Sequence, residues 1–175
     1  PKDAAYCPGG STTLSVVAVG EGLNYQWKFE GNAIPNAHAS TYAANAAGSY
    51  TVVVSGDCGT VESAAATVRE GVPTAITSQP QGGAACPGNS VLLSFSANGE
   101  GLTYQWKNGS NAIADATNST YTASVNGNYS VIVSGNCGTV TSETAVVQIK
   151  TATSITTQPV GATICPGTST TISSA

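Results

Sequence analysis

Leu23-Asn24-Tyr25-Gln26-Trp27-Lys28 returns as Leu102-Thr103-Tyr104-Gln105-Trp106-Lys107, 79 residues further along the chain. In both stretches Leu, Tyr and Trp take alternate positions and polar residues fill the gaps. Successive side chains of an extended strand point to opposite faces, so a period of two places the apolar set together and leaves the polar set to water. The same alternation runs outward from this stretch. Leu14, Val16 and Ala18 share a face of Thr13–Ala18, as Leu93, Phe95 and Ala97 do in the second copy. Tyr50, Val52 and Val54 line up within Ser49–Ser55, mirrored by Tyr129, Val131 and Val133, and Thr60–Val68 and Thr139–Ile149 are further β-rich stretches. Turn sequences separate them: Pro8-Gly9-Gly10, Gly20-Glu21-Gly22, Gly31-Asn32 and Gly56-Asp57. Short strands at regular spacing, with no helical period, predict an all-β antiparallel sandwich.

The repeat is strict. Cys7 becomes Cys86 and then Cys165, Cys58 becomes Cys137, and Gln79-Pro80 becomes Gln158-Pro159, with no insertion between copies. A 79-residue period is too long for a solenoid rung and suits a small β-domain, so an array of like modules is expected. We read residues 1–70 as a first module without its first strand, 71–150 as a second, and 151–175 as the start of a third. The chain is expected to be a stretch of a longer tandem protein.

Charged residues make up 8% of the 175 residues, with five Lys and Arg against nine Asp and Glu; ordinary soluble domains hold roughly 25%. A net charge of −4 argues against a nucleic-acid footprint and against anionic membranes. No apolar run approaches the roughly 20 residues of a spanning helix. A neutral surface rich in hydroxyl and amide groups suits wall, sugar or protein contacts. Five cysteines beside a single histidine point to disulfides in an oxidising compartment rather than to a metal.

Gly10-Ser11-Thr12-Thr13-Leu14-Ser15-Val16, Tyr25-Gln26-Trp27 and Gly48-Ser49-Tyr50-Thr51-Val52 together resemble strands B, C and F of an immunoglobulin-like domain. The resemblance makes Trp27 and Trp106 core tryptophans, and Tyr50 and Tyr129 tyrosine-corner residues. Ile76-Thr77-Ser78-Gln79-Pro80 looks like a first strand ended by a proline. Two positions depart from the antibody pattern. Val16 and Val52 stand where the inter-sheet cysteines would be, and Ala46 or Val125 replaces the acidic residue before the corner tyrosine. The longer signature is Cys-Pro-Gly-x-Ser, Leu-x-Tyr-Gln-Trp-Lys, Gly-x-Tyr and Ser-Gly-x-Cys-Gly-Thr-Val. It resembles the tandem immunoglobulin-like repeats of Bacteroidetes surface and secreted proteins, of adhesin or gliding-motility type. The resemblance implies tandem immunoglobulin-like sandwiches arranged as beads on a string.

In the topology this resemblance implies, Cys7 lies in the turn leading into strand B and Cys58 in the hairpin leaving strand F. Strands B and F run parallel, so these positions sit at opposite poles, roughly 25 Å apart at ~3.3 Å per residue. A disulfide needs Cα atoms within about 7 Å. End-to-end stacking would instead bring Cys7 to Cys137 of the next module. Cys86 would meet the hairpin cysteine of the third module, and Cys58 would meet a preceding one. The other pairing, Cys7–Cys58 with Cys86–Cys137, keeps each bridge within a repeat, and both remain open on sequence alone. The short connection Arg69-Glu70-Gly71-Val72-Pro73-Thr74 restrains relative motion in either case.

Catalytic chemistry finds no foothold. His38 is the only histidine and becomes Thr117 in the second copy, so no Ser-His-Asp set recurs. Glu21 and Glu100 share a register but sit in turns without a second carboxylate, and no calcium-loop pattern exists. Asn-x-Ser/Thr triplets at Asn108, Asn118 and Asn128 arise by chance in this composition. Tyr25, Trp27, Tyr104 and Trp106 could form a sugar platform, but their register with Leu23 and Leu102 points them inward. The expected role is therefore non-enzymatic and without cofactors or metals: a stalk or filament segment of an extracellular, cell-surface adhesin. The other readings are a glycan- or protein-binding module, with specificity in the variable Phe29–Ala44 and Gly109–Ala123 regions, and a spacer of a secreted enzyme. Expected partners are neighbouring repeats, other copies in a filament, and surface glycans or proteins. Because lysine guards are few, sheet edges could pair between copies in a way that survives high salt.

Overall fold

β-Branched and aromatic residues at alternate positions, broken by glycine turns, produce eighteen strands and, among the described residues, no helix. The computed structural model describes residues 1–172; positions 173–175, in the stretch read as the start of a third module, lie outside the described residues. The first repeat supplies β1 (Ala4–Tyr6), β2 (Thr12–Ser15), β3 (Asn24–Phe29), β4 (Asn32–Ala33), β5 (Thr41–Ala44), β6 (Gly48–Gly56), β7 (Gly59–Glu62) and β8 (Ala66–Glu70). The second supplies β9 (Ala75–Ser78), β10 (Gly83–Ala85), β11 (Val91–Ser94), β12 (Ser96–Asn98) and β13 (Thr103–Asn108). It continues with β14 (Asn111–Ala112), β15 (Thr120–Ala123), β16 (Gly127–Gly135), β17 (Gly138–Thr141) and β18 (Ala145–Ile149). Residues 151–172 are exposed and contain no strand.

Each repeat closes into a two-sheet sandwich. One sheet runs β1-β8-β6-β3-β4 with β7 beside β6, and its copy runs β10-β18-β16-β13-β14 with β17 beside β16. The facing sheet pairs β2 with β5 in the first repeat and β11 with β15 in the second. The short strands β1 and β10 lie parallel to the last strands β8 and β18.

The two inner faces meet over Trp27 and Trp106, both 0% exposed. Leu14, Tyr50, Val52 and Val68 surround the first; Leu93, Tyr129, Val131 and Val147 surround the second. Each indole N–H donates to a backbone carbonyl, Ala39 at 2.9 Å and Asn118 at 2.9 Å, so neither buried ring leaves a polar atom unmet. The two phenylalanines occupy different layers. Phe29 packs on Tyr50 with ring centroids 4.9 Å apart, whereas Phe95 meets Trp106 edge-on at 5.7 Å.

The tyrosines close a local loop. Tyr50 Oη donates to the Ala46 carbonyl at 3.0 Å, and Tyr129 Oη to that of Val125 at 3.0 Å. Burial pushes both phenols above their ordinary pKa, keeping the proton on the donor. Tyr129→Phe removes one such bond. Val125 is itself exposed, so its carbonyl can turn to water, and the loss should fall near the low end of about 0.5–1.5 kcal/mol. Urea unfolding of the second sandwich reads it directly.

Three expected β stretches are shorter or more broken than the alternation predicts. Thr60–Val68 is cut at Ser63, where the side chain joins the ladder. Val52 N–H donates to Ser63 Oγ at 3.1 Å, and Ser63 N–H donates to the Val52 carbonyl at 2.9 Å. Ser142 does the same against Val131, and short polar side chains commonly replace a backbone partner in this way. Thr13–Ala18 stops as a strand at Ser15: Val16 N–H still donates to the Ser40 carbonyl at 3.0 Å, but residues 17–19 find no strand to pair with. In the second copy the equivalent stretch continues past Phe95 as β12, paired with β9. The same pattern is strand in one copy and irregular in the other, and the partner decides.

Candidate functional site

β8 ends at Glu70, and the chain passes to β9 through only Gly71, Val72, Pro73 and Thr74. That short connection holds the turn after β1 against the β16–β17 hairpin of the second sandwich. There Cys7 and Cys137 are joined, with Sγ atoms 2.13 Å apart and Cα atoms 5.3 Å apart, across 130 residues of sequence. With Cys7 and Cys137 joined to each other, neither is left for the within-repeat pairings Cys7–Cys58 and Cys86–Cys137. Cys58, Cys86 and Cys165 are free and exposed.

The linker is threaded tightly beneath the bridge. Gly71 N–H donates to the Tyr6 carbonyl at 2.8 Å, extending the β1–β8 pairing by one residue. A Cβ on Gly71 would lie 3.0 Å from Cys137 Sγ and 3.4 Å from the Tyr6 oxygen. Thr74 then enters the second sandwich between two glycines. Its Oγ1 lies 2.5 Å from where a Gly135 Cβ would stand, and its Cα lies 3.3 Å from the corresponding point on Gly99. The Thr74 hydroxyl is buried with no partner among the described residues, so shape holds this residue in its seat.

An ion pair crosses the same junction. Arg69 reaches Glu100 with two nitrogens, Nη1 to Oε1 at 2.5 Å and Nη2 to Oε2 at 2.8 Å. Hydrogen bonding from Arg69 holds the Glu100 carboxyl below its ordinary pKa, assisted by the charge of Arg69 and by the Val72 N–H; partial burial opposes them. The contribution of a depressed carboxylate is fully present above the ordinary Glu range and is lost as pH falls through the lowered value. Acidification should therefore loosen the junction while the tryptophan cores persist. Small-angle scattering should show wider inter-sandwich sampling at low pH, and Glu100→Gln should remove that dependence. Both groups face solvent, so added salt should mute the effect.

Other residues singled out in the sequence fall into place separately. His38 is exposed, with Nδ1 3.1 Å from the Tyr25 carbonyl oxygen. Tyr25 and Tyr104 are half-buried against their cores rather than arrayed on the surface. Val52 is buried and Val16 half-buried at the two positions that depart from the antibody cysteine pattern. Among the described residues no group of three or more His, Cys, Asp or Glu side chains could hold a metal ion. The role of Glu100 escaped sequence reasoning. Arg69 does not recur, since Gln148 stands at its repeat position, so no periodic charge pair in the sequence points to it.

No protein-family model and no curated protein sequence matches the chain. Among solved structures it is similar to an I-band fragment of titin at TM-score 0.59 and 12% identity, over 86% of this chain. The chain spans 63% of the length of that fragment. It is also similar to the three N-terminal domains of the highly immunogenic outer capsid protein of bacteriophage RB49. There the identity is 24% and the TM-score 0.48, over 83% of this chain and 56% of that one. The likeness to the titin fragment, with the sheet order above, makes the chain a tandem array of immunoglobulin-like sandwiches.

Proposed function

We propose that the chain is a segment of a stalk or filament at a bacterial cell surface, of the adhesin or gliding-motility type found in Bacteroidetes. In this reading residues 1–70, 71–150 and 151–175 belong to successive modules, and the mechanical unit is the string. The bond between Cys7 in one sandwich and Cys137 in the next carries the proposal. A bridge within a domain stabilises that domain; a bridge between domains fixes their relative placement. The constant 79-residue period lets the same bridge recur along an array. An oxidising, extracellular setting follows from the need to keep such bonds intact.

Electron microscopy of the native protein together with non-reducing peptide mapping tests the proposal. Thin fibres and a joined Cys7–Cys137 peptide are the expected results. Compact monomers, or a Cys7–Cys58 peptide, would overturn it.

A further inference from the structure

An asparagine followed by glycine can modify itself, because glycine has no side chain to shield its backbone nitrogen from the amide one residue back. The chain holds three such pairs, Asn98-Gly99, Asn108-Gly109 and Asn126-Gly127, all in the second repeat. Their counterparts in the first are Val19-Gly20, Phe29-Glu30 and Ala47-Gly48. The reaction needs a free glycine N–H as nucleophile and an asparagine amide free to turn toward it.

Two of the three pairs are tied down. Gly109 N–H donates to the Asn128 carbonyl at 2.8 Å, and Asn128 N–H donates to Asn108 Oδ1 at 3.2 Å, so nucleophile and amide are both engaged. Asn126 Oδ1 accepts the Ile149 N–H, and the Asn108 amide occupies the side of Gly127 where a Cβ would stand. Asn98 differs. It is exposed at the end of β12, opposite Ala75. Among the described residues neither its side-chain amide nor the Gly99 N–H has a hydrogen-bond partner.

The residues that follow Asn98 carry the junction between the sandwiches. A Cβ on Gly99 would stand 3.3 Å from Thr74 Cα, so the bare glycine is what lets Thr74 into its seat. Glu100 holds Arg69 through both carboxylate oxygens, and its carbonyl accepts the Asn136 N–H at 2.8 Å, beside Cys137.

We propose that Asn98 is a self-modification site whose conversion to isoaspartate loosens this junction. The Gly99 nitrogen attacks Asn98 Cγ. A new C–N bond forms, the bond from Cγ to the amide nitrogen breaks, and the Gly99 proton leaves with that nitrogen as ammonia. Water then adds to one of the two carbonyl carbons of the resulting succinimide and breaks that carbon's bond to the Gly99 nitrogen, which regains a proton. Opening at the original backbone carbon leaves isoaspartate; opening at Cγ leaves aspartate. One amide and one water become one carboxylic acid and one ammonia, and nothing is oxidised or reduced.

Isoaspartate routes the main chain through Cβ and Cγ, one carbon longer, and adds a negative charge. The extra carbon shifts Gly99 and Glu100 away from Thr74, Arg69 and Asn136, whereas the core around Trp106 keeps its own contacts. Ring closure requires Gly99 to lift from Thr74, so an open junction reacts faster than a closed one. The change is irreversible and therefore registers how often the junction has opened. It concerns the junction itself and stands whether or not the string forms a stalk.

The 175-residue chain, aged at neutral pH both folded and in urea, tests the inference by peptide mapping that separates asparagine, aspartate and isoaspartate forms. In urea the three pairs share one chemistry and should convert at similar rates. In the folded chain Asn98 should convert about tenfold faster than Asn108, whose two hydrogen bonds must open first, and ahead of Asn126. Cys7→Ser should speed Asn98 further and leave Asn108 and Asn126 unchanged. Scattering from aged chains should show wider inter-sandwich sampling with unchanged far-ultraviolet dichroism. Asn98→Val, which installs the residue found at this position in the first repeat, should abolish that ageing. Conversion of Asn108 or Asn126 as fast as Asn98 in the folded chain would overturn the inference. So would an Asn98 rate indifferent to Cys7→Ser, or unchanged scattering once Asn98 has converted.

Discussion

Trp106→Ala is expected to destabilise the second sandwich by about 3–5 kcal/mol, because the ring is fully buried and its neighbours cannot close the space it leaves. Val131 and Val147 come from strands held in register by their ladders, and Phe95 stacks on the indole edge at 5.7 Å. The cavity would also strand the Asn118 carbonyl that the indole N–H now meets. Small domains are stabilised by only about 5–15 kcal/mol in total, so this one change removes a large part of the margin. The first sandwich has its own core around Trp27 and should unfold at its original midpoint. Urea titration followed by the fluorescence of the single remaining tryptophan, Trp27, together with far-ultraviolet dichroism, resolves the two transitions. Loss of both sandwiches together would show a shared core, against the separation described above.

Breaking the inter-sandwich bond is the second large effect. Cys7→Ser frees a loop that Cys7 and Cys137 now close, and disulfides across loops of this size typically contribute about 2–4 kcal/mol by limiting the unfolded chain. While the bond stands, the second sandwich unfolds with Cys137 still tethered to the first; without it, the chain from Gly71 onward is released. Both transitions should move to lower urea, because the bond closes a loop through either sandwich while the other stays folded. Scattering should also show the two sandwiches sampling more orientations, because Arg69–Glu100 and the linker alone remain to hold them. Cys58→Ser, at a free exposed thiol, is the control and should change neither. An unmoved second transition with unchanged scattering in Cys7→Ser would mean the linker alone sets the geometry.

The cores were legible from sequence because alternation reports burial directly. Leu14, Trp27, Tyr50 and Val52 could be placed on inner faces without knowing which strand neighboured which. Pairing was less legible. Thr13–Ala18 reads as one strand by pattern, yet residues 17–19 lack a neighbouring strand, and a strand exists only where another offers its backbone. Ser63 and Ser142 interrupted their strands for a different reason, since a hydroxyl within reach of the ladder competes with the backbone it replaces. The junction lay between these cases. The polar placement of Cys7 and Cys137 could be argued from the topology that the resemblance implies, whereas Arg69 does not recur, Gln148 standing at its repeat position, so the Arg69–Glu100 pair leaves no periodic trace. The seat of Thr74 was hidden in another way, for Gly20, Gly56, Gly99 and Gly135 read as turn residues until the linker is seen to pass between them.

Tension applied along the chain would enter at the first residues and meet Cys7, where the bond offers a shortcut straight to Cys137. Everything between those positions, which includes most of both sandwiches, then carries no load. If the bridge recurs at each repeat, the shortest covalent path runs from Cys137 through 28 residues to Cys165 and leaps again. That path measures at most about 100 Å for every two repeats, against roughly 500 Å for the unbridged chain. The two folded sandwiches already cover much of that shorter distance. An array wired this way behaves as a nearly inextensible cord: force reaches its sulfur links long before it could draw out a strand.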